Sequence, residues 1–147
     1  MADQATQQMV VGASPERTWE VLTDFEDYPA WAHDLKSAEI VSRDDDGRPL
    51  EVAFRAAAMG RSTSYTLRYD YGKAPDVLAW KLVRGDITRK LDGSYELAPV
   101  DGDPHRTAVT YHLEVDLIVP LPGFVKRRAE SRLLTTALRH LRDHLEA

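Results

Sequence analysis

Residues 35–118 read LKSAEIVSRDDDGRPLEVAFRAAAMGRSTSYTLRYDYGKAPDVLAWKLVRGDITRKLDGSYELAPVDGDPHRTAVTYHLEVDLI, and glycines at 47, 60, 72, 85 and 102 cut this stretch into six strand-length runs. Within the runs apolar and polar side chains alternate. Leu50, Val52, Phe54 and Ala56 share one parity, as do Tyr65, Leu67, Tyr69 and Tyr71. Leu78, Trp80 and Leu82, then Leu91, Tyr95 and Leu97, then Val109, Tyr111, Leu113, Val115 and Leu117 repeat the pattern. Successive side chains of a strand point to opposite faces, so each run has one covered face and one wet face. Asp46-Gly47, Met59-Gly60, Gly72-Lys73-Ala74-Pro75, Gly85-Asp86 and Asp101-Gly102-Asp103-Pro104 carry the turn chemistry between them. Gly93 lies inside a run, which predicts a bulge or a sharp bend.

Upstream, Thr6 to Gly12 reads as a further strand, making seven in all. Ser14-Pro15 then opens a short helix, with Ser as cap and Pro in the first turn. Pro29 disfavours helical geometry at Tyr28, so this helix should end near Asp24 to Glu26, and a second short one should run from Pro29 to Asp34. Downstream, Val125, Ala129, Leu133, Ala137, Leu141 and Leu145 form a four-residue row with Leu134 and Leu138 beside it. A helix over Leu121 to Glu146 would be about 35–40 Å long and is the only long segment able to cover the sheet. The expected fold is therefore α+β, an antiparallel sheet curled around one C-terminal helix, in the order β-α-α-β6-α.

The chain has 147 residues, 43% hydrophobic and 29% charged, which fits one domain spanning 1–147. No stretch approaches the roughly 20 apolar residues of a membrane span, and the N-terminus lacks the pattern of a secretory signal. With no cysteine present, a cytoplasmic location is the expectation. The net charge of −5 is uneven. Residues 122–147 hold six Lys or Arg and three acids, +3, leaving 13 basic and 21 acidic groups, −8, elsewhere. An acidic body argues against nucleic acid as a partner, because that binding rests on clustered cations.

No Gly-x-Ser-x-Gly elbow, phosphate-cradling loop or Gly-x-Gly-x-x-Gly fingerprint occurs, so no cofactor is expected. His140 and His144 stand four apart on the polar side of the last helix without an evident third ligand, so no metal is expected either. Asp44-Asp45-Asp46-Gly47 lacks the ligand alternation of a calcium loop and reads as a turn. His33, beside Trp31, is either packing or an acid–base group at a cavity mouth.

Five tyrosines, 65, 69, 71, 95 and 111, fall on the covered face. Each hydroxyl left unpaired in a dry core would cost about 1–3 kcal/mol. Singly, each ring reads as core. Together, with the small Ala129 and Ala137 on the helix, they point to a partly polar, aromatic-lined cavity suited to an elongated apolar molecule with a few oxygens.

Ala13-Ser14-Pro15 leading into Trp19-Glu20-Val21-Leu22, then Asp24 with Tyr28-Pro29-Ala30-Trp31, resembles the opening of the START-related superfamily, which includes polyketide cyclase/dehydrase and coenzyme Q-binding proteins. Leu91-Asp92-Gly93-Ser94-Tyr95-Glu96-Leu97, Thr107-Ala108-Val109-Thr110-Tyr111 and Pro120-Leu121-Pro122-Gly123-Phe124 are similar to its later landmarks. The resemblance spans essentially the whole chain. It implies the helix-grip fold, a seven-stranded antiparallel sheet around the C-terminal helix, and an internal hydrophobic cavity. It is less specific for function, since the superfamily binds lipids, quinones, polyketides and plant hormones.

The first expectation is thus binding or transport of a hydrophobic small molecule. The second is a polyketide aromatase/cyclase, which the resemblance implies would assist closure of a bound chain with Arg, Tyr, Trp or His side chains. The third is a protein-interaction module such as a ribosome-associated factor. The candidate lining set is Trp31, Phe54, Tyr65, Leu67, Tyr69, Trp80, Leu82, Arg84, Tyr95, Tyr111, Leu113, Phe124 and Leu133. Arg84 enters as the strand arginine of inward parity, an anchor for a ligand's anionic or carbonyl end or else an exposed strand-end charge. Leu121, Phe124, Lys126, Arg127 and Arg128 combine apolar and cationic groups at the entrance to the last helix. They read either as a membrane-surface contact or as a solvated basic face in which Lys126 pairs with Glu130.

Overall fold

The computed structural model describes residues 3–58, 61–118 and 122–147. Leu121 therefore lies outside the described residues. The chain runs β1 (Asp3–Val11), α1 (Pro15–Thr23), a 3-10 turn (Phe25–Asp27), α2 (Tyr28–Trp31), β2 (Leu35–Arg43), β3 (Pro49–Ala58), β4 (Arg61–Asp70), β5 (Val77–Gly85), β6 (Thr88–Val100), β7 (Asp103–Leu117) and α3 (Gly123–Leu145). The seven strands form one antiparallel sheet in the order β1-β7-β6-β5-β4-β3-β2. This is the helix-grip architecture. The short helical segments link the two edge strands, so they close one end of the curled sheet.

Local chemistry explains the boundaries. Ser14 Oγ accepts from the Arg17 amide at 3.1 Å and Pro15 follows it, which starts α1. Phe25–Asp27 turns as 3-10 helix and Tyr28 opens α2 with Pro29 in its first turn, so the second helix is shorter and earlier than the pattern from Pro29 to Asp34 predicts. At the β2–β3 hairpin, Asp44 Oδ1 accepts from the amides of Asp46 and Arg48, and Gly47 sits at φ 83°, where a side chain is strained. The aspartate run is a turn.

The core lies between the inner face of the sheet, α1, α2 and one side of α3. Leu22, Leu78, Leu113, Leu134, Leu138 and Leu141 are fully buried, each stabilising the fold by about 1.5–3 kcal/mol. The helix packs on β1 and β7 and touches α2. It is fastened there by Gln7, whose amide donates to the Ser131 carbonyl and accepts from the Thr135 hydroxyl at 2.7 Å. Its other end is held by Glu146, which accepts from the Gly12 amide at 3.0 Å.

The buried row of α3 is Glu130, Leu134, Leu138 and Leu141, not the strict four-residue row expected. Steps of four advance about 40° beyond a full turn, so a long four-residue row winds around the helix. Leu133, 45% exposed, and Ala129 consequently leave the core side.

Candidate functional site

Nine aromatic rings meet in series across the inner face. Phe25 packs on Tyr69 at 4.3 Å and on Tyr28 at 5.4 Å between centroids. Tyr28 continues to Trp31 at 5.0 Å and to Phe54 at 5.9 Å, and Phe54 to Tyr65 at 5.6 Å. From Tyr69 the series passes to Trp80 at 6.0 Å, and from Trp80 to Tyr95 at 5.3 Å and Tyr111 at 5.9 Å. Tyr95 and Tyr111 close it at 4.5 Å. These separations are those of tilted and edge-to-face pairs.

The room expected beside the small residues of α3 is taken up differently. Ala129 is exposed and Ala137 half-buried, while the 3-10 turn and α2 bring Phe25, Tyr28 and Trp31 inward. Phe25 and Tyr28 are the members of the site that the sequence pattern missed. They sit in a segment too short to show periodicity.

Strand pairing puts Trp80 at a fork. β5 and β6 are paired from Val77 opposite Glu96 to Trp80 opposite Gly93. Past that rung the Leu82 amide donates to the Asp92 carboxylate at 3.0 Å. A Cβ on Gly93 would lie 2.9 Å from Trp80 Cζ2, so the glycine serves a close approach at the last paired rung of β5 and β6; of the bulge or sharp bend predicted there, the β6–β7 register shows no bulge. The register of β6 with β7 runs straight through Gly93 opposite Leu113.

Polar groups within the ring series differ in how they are met. The Tyr28 hydroxyl donates to the Leu22 carbonyl. Tyr71, at the rim, donates to the Pro49 carbonyl and lies under the Arg48 guanidinium at 4.6 Å. The side chains of Tyr95 and Tyr111 interact with each other through their hydroxyls. The indole Nε1 of Trp80 and that of Trp31 are buried with no acceptor among the described residues. Trp80 is only 6% exposed.

Burial drives the ionisation of Tyr28, Tyr69, Tyr95 and Tyr111 well above the usual phenol range, with mutual charge repulsion adding to it. Tyr65 is raised by burial too, and Tyr71 is pushed up to about 12. All six hydroxyls are protonated at neutral pH and can donate.

Of the residues singled out from sequence, Trp31, Phe54, Leu67, Tyr69, Trp80, Tyr95, Tyr111 and Leu113 lie in this buried cluster, and Tyr65 and Leu82 pack against it half-buried. Arg84 does not. A register shift between Thr66 and Leu67 puts Leu82 opposite Leu67 but Arg84 opposite Thr66, so the intervening Val83 reverses the parity and sends Arg84 to the outer face. Phe124, 64% exposed, and Leu133 lie on outer sides of α3 and line no enclosed space.

Glu130, expected on the surface beside Lys126, is instead 6% exposed on the buried row of α3. His33 is exposed with its ring 4.6 Å from that of His140, and His144 stacks on Trp31 at 6.0 Å. The two helix histidines are thus packed against the α2 region, not fully solvated. Among the described residues no group of three or more His, Cys, Asp or Glu could hold a metal ion.

Two open depressions of about 520 Å³ each border the ring series. Tyr69, Tyr71 and Trp80 line one together with Arg48, Arg68 and Lys81, and Phe54 and Tyr65 line the other together with Arg55, Thr66 and Arg84. Each thus joins ring residues to polar side chains and is open, not enclosed. No described helix is long and apolar enough to cross a membrane.

Residues 2–146 match the family described as polyketide cyclase / dehydrase and lipid transport. Among solved structures, a START superfamily protein from Mycobacterium smegmatis is 25% identical over 97% of each chain, with a TM-score of 0.91. The Zhui aromatase/cyclase from a Streptomyces species is 17% identical over 99% of this chain and 94% of its own, at TM-score 0.82. A protein from Thermus thermophilus is 19% identical over 97% of both chains, at 0.78. The last two likenesses speak to fold alone. No curated protein matches the sequence.

Proposed function

The chain belongs to the polyketide cyclase / dehydrase and lipid transport family, and from that membership we propose that its ring-lined inner face binds an apolar small molecule of lipid, quinone or polyketide type. The observation that carries the proposal is the Trp80 indole N–H, buried without an acceptor among the described residues and surrounded by the rings of Tyr69, Tyr95 and Tyr111. A buried donor left unmet costs about 1–3 kcal/mol, and a guest oxygen in reach of it returns that cost on binding. The indole only donates, and burial keeps the surrounding phenols protonated. The inner end of the site therefore suits acceptor oxygens, carbonyl or quinone in type, on a flat or elongated apolar body. A guest enters by parting rings that now touch one another.

Polyketide cyclisation is the second reading, and Glu130 is what favours it. A buried carboxylate on the inward row of α3 is a candidate acid–base group. Binding leads because Arg84 and His33, the other groups considered for chemistry, stand outside the ring series.

Native mass spectrometry of gently purified protein should show an added apolar mass. Titration with a short-chain benzoquinone should change tryptophan fluorescence, and Trp80→Phe should weaken that binding roughly tenfold, the equivalent of one lost hydrogen bond. A protein always found empty and unresponsive to quinones and fatty acids would overturn the binding reading. Glu130→Gln separates the two readings: under simple carriage it leaves binding intact with no turnover to lose, whereas under cyclisation it lowers kcat far more than it raises KM.

A further inference from the structure

The first turns of α3 are built against their own electrostatics. The helix begins at Gly123 after Pro122, has no side-chain cap and no acidic residue in its first turn, and carries Lys126, Arg127 and Arg128 within its first two turns. Cations at this end oppose the helix dipole. Arg127 even folds back over the start of the helix, its Nη1 3.3 Å from where a Cβ on Gly123 would stand. The acid nearest in sequence, Glu130, is turned into the core. Arg127, Arg128 and Arg132 enter no ion pair among the described residues.

An apolar side chain stands among these cations. Phe124 is 64% exposed. At about 100° per residue, Arg127, Arg128 and Arg132 fall within roughly 80° of Phe124 around the axis. One side of the projecting helix end thus combines an unburied ring with three guanidinium groups outside any described ion pair. Charge is also segregated over the whole chain, with +3 in residues 122–147 and −8 elsewhere.

We infer that this end of α3 docks on an anionic phospholipid surface, Phe124 entering the interface and Arg127, Arg128 and Arg132 meeting the lipid phosphates. A ring beside arginines is the chemistry of an interfacial contact. Each arginine near an anionic leaflet strengthens attachment about fivefold. The acidic remainder of the molecule is repelled by the same leaflet, which orients the protein with α3 end-on. The inference stands apart from ligand binding by the interior.

Sedimentation with vesicles tests it. The protein should pellet with phosphatidylcholine vesicles containing phosphatidylglycerol at low salt, several-fold less at high salt, and not with pure phosphatidylcholine. Phe124→Ser should lower the partition about tenfold, and the Arg127→Glu/Arg128→Glu double variant should abolish it. These side chains are exposed, so Phe124→Ser should keep the wild-type melting temperature, and the double variant, which puts acids where the helix dipole favours them, should melt no lower than wild type. Failure to pellet with anionic vesicles at low salt overturns the inference, as does pelleting indifferent to Phe124→Ser. Retardation of an oligonucleotide without vesicle binding would assign the arginines to a nucleic acid and overturn it equally.

Discussion

A Cβ placed on Gly93 would lie 2.4 Å from the His112 carbonyl oxygen and 2.9 Å from Trp80 Cζ2, so any side chain there must move both the neighbouring strand and the indole at the centre of the ring series. Backbone cannot yield cheaply inside a paired ladder, and the indole is enclosed by Tyr69, Tyr95 and Tyr111. Gly93→Ala is therefore expected to cost about 2–4 kcal/mol, in the upper range for overpacking a core. Urea unfolding should show this as a lower midpoint with an unchanged slope. A midpoint equal to wild type would mean that the β7 backbone at His112 and the Trp80 indole both give way at little cost. Arg84 teaches a different lesson at this scale. Its inward assignment followed from counting by twos along β5, and one extra residue at Val83 inverts the count.

α3 faces the sheet with Glu130, Leu134, Leu138 and Leu141, and neighbouring leucines on it should respond to truncation very differently. Leu134→Ala removes a fully buried side chain and is expected to destabilise by about 2–5 kcal/mol. Leu133→Ala, at a 45% exposed position, should cost under about 1 kcal/mol. Equal losses in thermal melts of the two variants would refute the assignment of the buried side. The strands were legible in the sequence because side-chain alternation survives wherever no bulge interrupts it. Seven strands, their antiparallel meander and the inward parity of Tyr69, Trp80, Tyr95 and Tyr111 all follow from that rule. The helix was legible in extent but not in rotation, since leucines surround much of it and several rows fit. Least legible was what fills the space between sheet and helix. Phe25 and Tyr28 come from a 3-10 turn and a helix of four residues, whose side-chain directions depend on the path of the chain and not on any period.

Over the whole molecule, all six tyrosines have raised ionisation. In the unfolded chain phenols lose their protons near pH 10, while the folded protein retains them well above that. The folded state therefore binds more protons in this range, and stability falls as pH rises; below pH 10 both states are protonated and the contribution is intact. Each buried hydroxyl that stays protonated while its unfolded counterpart ionises removes up to about 1.4 kcal/mol per pH unit. For Tyr28, Tyr69, Tyr95 and Tyr111 together the slope approaches roughly 5 kcal/mol per unit, comparable to the whole stability of an ordinary domain. Unfolding is consequently expected in one cooperative step between about pH 11 and 12, with phenolate absorbance and loss of circular dichroism rising together. Gradual phenolate absorbance from pH 10 in a protein that remains folded would show that solvent reaches these hydroxyls, and that the ring series is open in solution.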